Sequence, residues 1–125
     1  MKITSFNPLI ITKDADAAVK LFEELGFERR HHGHVTNSEG VDRSGIRMKD
    51  ANGFYVDISQ NDKVERDLTL IRINVDDFEG AYEMLTAKGF TCPAGIVDSK
   101  SNRNAAMHAP SGFIIHLVHH IKDHD

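Results

Sequence analysis

Arg72 stands between Ile71 and Ile73, His116 between Ile115 and Leu117, and Asp57 between Val56 and Ile58. Each is a single ionisable group inside an apolar run. A charge in that setting must pair or reach water, because burying it alone is costly. Arg72 offers a planar fork suited to a ligand carboxylate or phosphate, or to a structural ion pair with Asp57 or another acid. His116 is the best candidate for a general base. Ser59 follows two residues after Asp57, but nothing in the sequence builds a Ser-His-Asp triad from it and His116.

The remaining reactive side chains carry less. His31, His32 and His34 supply imidazoles, the commonest transition-metal ligands, but no cysteine or carboxylate is placed to join them, and a solvated segment is the plainer account. His108, next to a turn, reads the same way. Cys92 is the single cysteine, so no internal disulfide forms and a reducing compartment is expected. Neither a glycine-rich phosphate loop nor a nucleophile elbow is present. A formal charge of -4 gives no basic field for gathering phosphates, which argues against nucleic acid as a partner. No stretch approaches the ~20 apolar residues of a membrane span, and Met1 to Phe6 lacks the apolar run of a signal peptide, so a cytoplasmic protein is expected.

The elements that position these groups occur twice. Residues 6–11 read as a strand, with Pro8 demoting its start to an edge or entry position. Asp14 or Asp16 caps a helix whose Ala15, Ala18, Leu21, Phe22 and Leu25 share one face, and Gly26 stops it. Strands follow at residues 28–35, 45–49 and 54–59, the last two joined by the turn Asp50-Ala51-Asn52-Gly53. After a charged connector at 61–67 the order returns. A strand spans residues 68–75, and Asp76 or Asp77 caps a helix carrying Phe78, Ala81, Met84 and Leu85. Gly89 stands where Gly26 did, and residues 105–109 and 113–118 pair through Pro110-Ser111-Gly112. The expectation is one domain over 1–125, with module one at 3–60, module two at 68–120 and a polar tail at 121–125.

Period-two alternation assigns the faces. Phe54, Val56 and Ile58, then Ile71, Ile73 and Val75, then Phe113, Ile115 and Leu117, should pack against the helices. The opposite face carries Asn7, Leu9 and Ile11, then Tyr55, Asp57 and Ser59, then Leu70, Arg72 and Asn74, then Ile114, His116 and Val118. That mixture of apolar residues with a few polar groups is the composition of a ligand cup. Tyr55 is its one aromatic, too little stacking surface to favour a large planar drug.

The duplicated order, the helices ending in Leu25-Gly26-Phe27 and Lys88-Gly89-Phe90, and the turns Ala51-Asn52-Gly53 and Ala109-Pro110-Ser111-Gly112 resemble the vicinal oxygen chelate superfamily of glyoxalase, bleomycin-resistance and dioxygenase proteins. The resemblance implies an α+β fold of two βαβββ modules whose curved mixed sheet surrounds a central cup, often completed by a homodimer. It also implies a metal ligand early on the first strand and another on the last strand of each module, usually histidine or glutamate. Carried over by position, these are Asn7 and Leu70, seven residues before Asp14 and Asp77, and Asp57 and His116, four residues after Gly53 and Gly112. Leu70 has no donor atom and Asn7 offers only a neutral carbonyl oxygen.

The expected function is therefore a superfamily protein that binds a small polar molecule through Asn7, Tyr55, Asp57, Leu70, Arg72 and His116, with no cofactor. A divalent metal on Asp57, His116 and Asn7 is the minority expectation. The alternatives are a divergent metal-assisted lyase, isomerase or transferase acting on an oxygenated substrate, and an antibiotic-sequestering resistance protein.

Overall fold

Asp14 and Asp77 open the two helices in the same way. In the structure, a computed structural model that describes residues 1–30 and 45–120, the Asp14 carboxylate accepts from the Ala17 amide at 3.1 Å and that of Asp77 from the Gly80 amide at 3.0 Å. Each satisfies a backbone donor that a helix start leaves unpaired. Helices α1 (Ala15–Glu24) and α2 (Phe78–Ala87) follow, and each ends at a glycine in the left-handed region, Gly26 at φ 108° and Gly89 at φ 95°. Asp77→Ala is expected to lower stability by about 1 kcal/mol, read as a shift in the urea midpoint at unchanged slope.

The strands are β1 (Ile3–Thr12), β2 (Glu28–Arg29), β3 (Gly45–Lys49), β4 (Tyr55–Gln60), β5 (Leu68–Val75), β6 (Val97–Asp98), β7 (Asn102–His108) and β8 (Ile114–His120). The chain divides into two units: Asn7–Thr69, and Met1–Phe6 together with the chain from Leu70 onward. In the first, the strand order is β2-β3-β4-β1; β1 and β4 run parallel, and the other neighbours antiparallel. In the second, β5-β8-β7-β6 repeats that pattern, with β5 and β8 parallel. The opening residues of β1 belong to this second unit, where the Asp76 amide donates to the Lys2 carbonyl at 3.0 Å. Two βαβββ modules in an α+β fold are thus present as expected.

Each unit has its own core. Val19 of α1 packs with Ala15, Met48, Val56 and Ile58, and Phe22 meets Phe27 edge-on at 5.3 Å. Phe78 and Ala81 of α2 pack with Val75, Ala105, Met107 and Leu117, and half-buried Cys92 lies against them. The alternation holds at Val56, Ile58, Ile115 and Leu117 but fails at its turn-side ends. Phe54 and Phe113, expected against the helices, are 66% and 52% exposed. Both immediately precede their strands, where the turn still governs the backbone; Phe113 contacts the edge of Phe90 instead.

Strand β1 is longer than the expected residues 6–11, starting at Ile3 and running through Pro8 to Thr12. Its ladder with β4 begins at Leu9, so the missing proline N–H falls outside that register. Among the described residues no helix is long and apolar enough to cross a membrane. His31, His32, His34 and the tail lie outside the described residues.

Candidate functional site

In the unit Asn7–Thr69 the sheet face opposite α1 carries a closed network of three side chains. Strand β4 places Asp57 beside Leu9 of β1 and opposite Arg47 of β3. Asn7 and Asp57 are buried, at 2% and 3% exposure. Arg47 donates through Nε to Asp57 Oδ1 at 3.0 Å and through Nη2 to Asp57 Oδ2 at 3.3 Å and to Asn7 Oδ1 at 2.8 Å. Asn7 completes the ring by donating its amide to Asp57 Oδ2 at 2.8 Å, and it also reaches the Pro8 carbonyl. This is the side-on fork that carboxylate and guanidinium adopt when both are held. Tyr55, on the same face, lies under Arg47, whose guanidinium carbon is 4.6 Å from the ring centroid; the Lys49 ammonium is 5.4 Å from the same centroid.

In the other unit, register sets Arg72 of β5 beside His116 of β8, and Ala106 of β7 opposite His116. His116 Nε2 lies 3.3 Å from Asn104 Oδ1, and the Asn104 amide donates in turn to Asn102 Oδ1 at 3.2 Å. The ring is thereby oriented from β7. Leu70 is buried at 5% exposure and brings only hydrocarbon. Asn74 donates to Ser5 Oγ, and His119 Nδ1 lies 2.8 Å from the Val75 carbonyl oxygen. His108 is half-buried on β7, where its backbone bridges to Thr91. Ser59 and His116 belong to different units, Ser59 sitting opposite Gly45 on β4.

Asn7 and Asp57, drawn together from sequence, meet side by side, while the residue between them in the network, Arg47, was not foreseen. Nor were Lys49 and Asn104. A signal for the first two exists in the turn. Asp50 and Phe54 bracket it, and counting three residues outward on each side sets Arg47 against Asp57, while one residue sets Lys49 against Tyr55.

Among the described residues, the divalent metal that the resemblance implies finds no fitting set of donors. The three oxygens that Asn7 and Asp57 would offer it all accept from Arg47, so the module-one pair is already spent on a cation belonging to the chain. Leu70 has nothing to offer. Among the described residues no group of three or more His, Cys, Asp or Glu side chains is arranged to hold a metal ion.

The duplicated βαβββ architecture defines the class of the protein. Residues 3–125 match the model of the Glyoxalase/Bleomycin resistance protein/Dioxygenase superfamily, and the chain belongs to that superfamily. Among solved structures it is similar to a superfamily member from Vibrio splendidus 12B01, with TM-score 0.64 and 12% identity over 94% of this chain and 99% of that one. Methylmalonyl-CoA epimerase from Mycobacterium tuberculosis gives TM-score 0.67 and 15% identity, covering 94% of this chain and 88% of that one. A glyoxalase I mutant from Zea mays gives TM-score 0.68 and 14% identity over 98% of this chain, which spans 45% of that longer protein. At such identities the likeness is one of fold. No curated protein sequence matches the chain.

Proposed function

We propose that the protein binds a small polar molecule without a catalytic divalent metal at the superfamily's ligand positions. The observation that carries this reading is the Arg47 guanidinium bonded to both Asn7 and Asp57, so that a fixed organic cation supplies the positive charge a metal would bring. In this reading Asn7 and Asp57 position Arg47, and Tyr55 forms an apolar wall. Arg72 and His116 contribute polar contacts in their own unit, and Leu70 an apolar one. A homodimer and a cytoplasmic setting complete the proposal, the latter on the ground of the single cysteine.

Metal analysis of protein purified without chelators tests it. The expected content of zinc, nickel, manganese and iron is far below stoichiometric, and calorimetric titration with each ion should release no saturable heat. A stoichiometric ion whose binding is lost in Asp57→Asn would overturn the reading.

The orientation of His116 by Asn104 favours a second reading, a metal-independent proton-transfer enzyme with His116 as its base. Turnover of a dicarbonyl, epoxide or catechol substrate that survives chelator and disappears in His116→Gln would support that reading over simple binding.

A further inference from the structure

We infer that the unit Asn7–Thr69 binds a small oxyanion, a carboxylate or a phosphate monoester, between the outer edge of Arg47 and the ammonium of Lys49 beside Tyr55. The inference rests on the metal-free reading above, since Arg47 is its central cation.

A guanidinium has five N–H donors. Nε and both hydrogens of Nη2 are committed to Asp57 and Asn7, which leaves Nη1 with its two. Because two buried partners fix the inner edge, the outer edge is held in place before any ligand arrives, and little rotamer entropy remains to be lost on binding. The Arg47 side chain is 30% exposed, whereas that of Asp57 is only 4% exposed.

Lys49 provides the second charge. It is half-buried, held over the same ring as Arg47, and joined in no ion pair among the described residues. Its register partners are Tyr55 on one side and Glu28 on the other, and the next residue, Asp50, spends Oδ1 on the Asn52 and Phe54 amides of the turn. Asp57 offsets Arg47, whereas Lys49 makes no ion pair of its own among the described residues and has Glu28 and Asp50 only as neighbours. Arg47, Lys49 and Asp57 together are therefore net positive, in a protein whose formal charge is -4.

Space is available next to it. Lys49 lines a hollow of about 330 Å³ together with Gly26, Glu28, Arg30, Asp50 and Ala51. That volume lies near the lower end of the ~300–1,000 Å³ of small-molecule sites. The lining sets two acids, Glu28 and Asp50, against two bases, Arg30 and Lys49, so the hollow has no surplus of positive charge for an extended polyanion and suits a compact anion.

The test is a titration of ¹⁵N-labelled full-length protein with inorganic phosphate and, separately, malonate, at constant ionic strength held with chloride. Saturable shifts of the Arg47, Lys49 and Tyr55 amides are expected, with affinity about fivefold weaker in Lys49→Gln, the loss suited to one partly exposed charge. Saturation by phosphate alone identifies a phosphate monoester as the ligand class, and saturation by malonate alone a carboxylate. Shifts that stay linear and match those in chloride would overturn the inference, as would saturation that Lys49→Gln leaves unchanged. Metal content is measured on the same sample. A metal-loaded protein sinks the functional reading, whereas a metal-free protein indifferent to both anions sinks only the oxyanion site.

Discussion

Asp57→Leu is expected to destabilise the protein by about 3 kcal/mol, seen as a large fall in the urea midpoint. The substitution removes the acceptor for Arg47 Nε, one of two acceptors for Nη2, and one of two acceptors for the Asn7 amide. Asn7 is buried, so its amide cannot exchange the lost partner for water. Arg47 is partly exposed, which holds the cost to the lower end of the range for a broken buried pair. The double variant Arg47→Met, Asp57→Leu should recover much of that loss, because two apolar side chains leave no stranded charge. A coupling of about 1–2 kcal/mol between the two sites is the expected result of the cycle. If Asp57→Leu alone costs little, the network is a surface ornament, and the case for a built-in cation weakens with it.

Ile58→Ala is expected to cost about 3–4 kcal/mol. Ile58 has no exposed surface and clusters with Ala15 and Val19 of α1 and with Met48 and Val56 of the strands, so truncation leaves a cavity that its neighbours fill only in part. The side chain points to the face opposite Asp57 on the same strand, so collapse around it also loosens the Arg47 network. Comparison with Met107→Ala, equally buried in the other core, sharpens the measurement. Should the two units unfold in separate transitions, each substitution would move one transition and leave the other in place. A single cooperative transition would move with both.

The parts of the molecule specified by neighbouring residues were legible in the sequence. Asp14 and Asp77 cap helices, Gly26 and Gly89 end them, and Asp50 to Gly53 turns a hairpin, because each depends on interactions a few residues apart. Strand alternation was enough to put Asn7 and Asp57 on one face. It failed where a strand begins, since Phe54 and Phe113 obey their turns instead of the pleat. Arg47 was hidden for a different reason. In Gly45-Ile46-Arg47-Met48-Lys49 it looks like an ordinary polar residue of an alternating strand, and its role depends on which residue of β4 faces it. Asn104 was missed likewise, its meeting with His116 being set by the register of β7 and β8.

The membership of Met1–Phe6 in the second unit has a kinetic consequence. The unit Asn7–Thr69 is one uninterrupted stretch and can assemble from contacts along its own length, whereas its counterpart draws on a segment separated from Leu70 by that entire stretch. Closing so long a loop carries an entropic cost that falls when the intervening chain is already compact. Folding should therefore proceed in order, with the contiguous unit first. Cleavage within residues 61–67 would strand the carboxy-terminal fragment without the segment that brings Lys2 to Asp76 and Ser5 to Asn74, and refolding would then depend on fragment concentration.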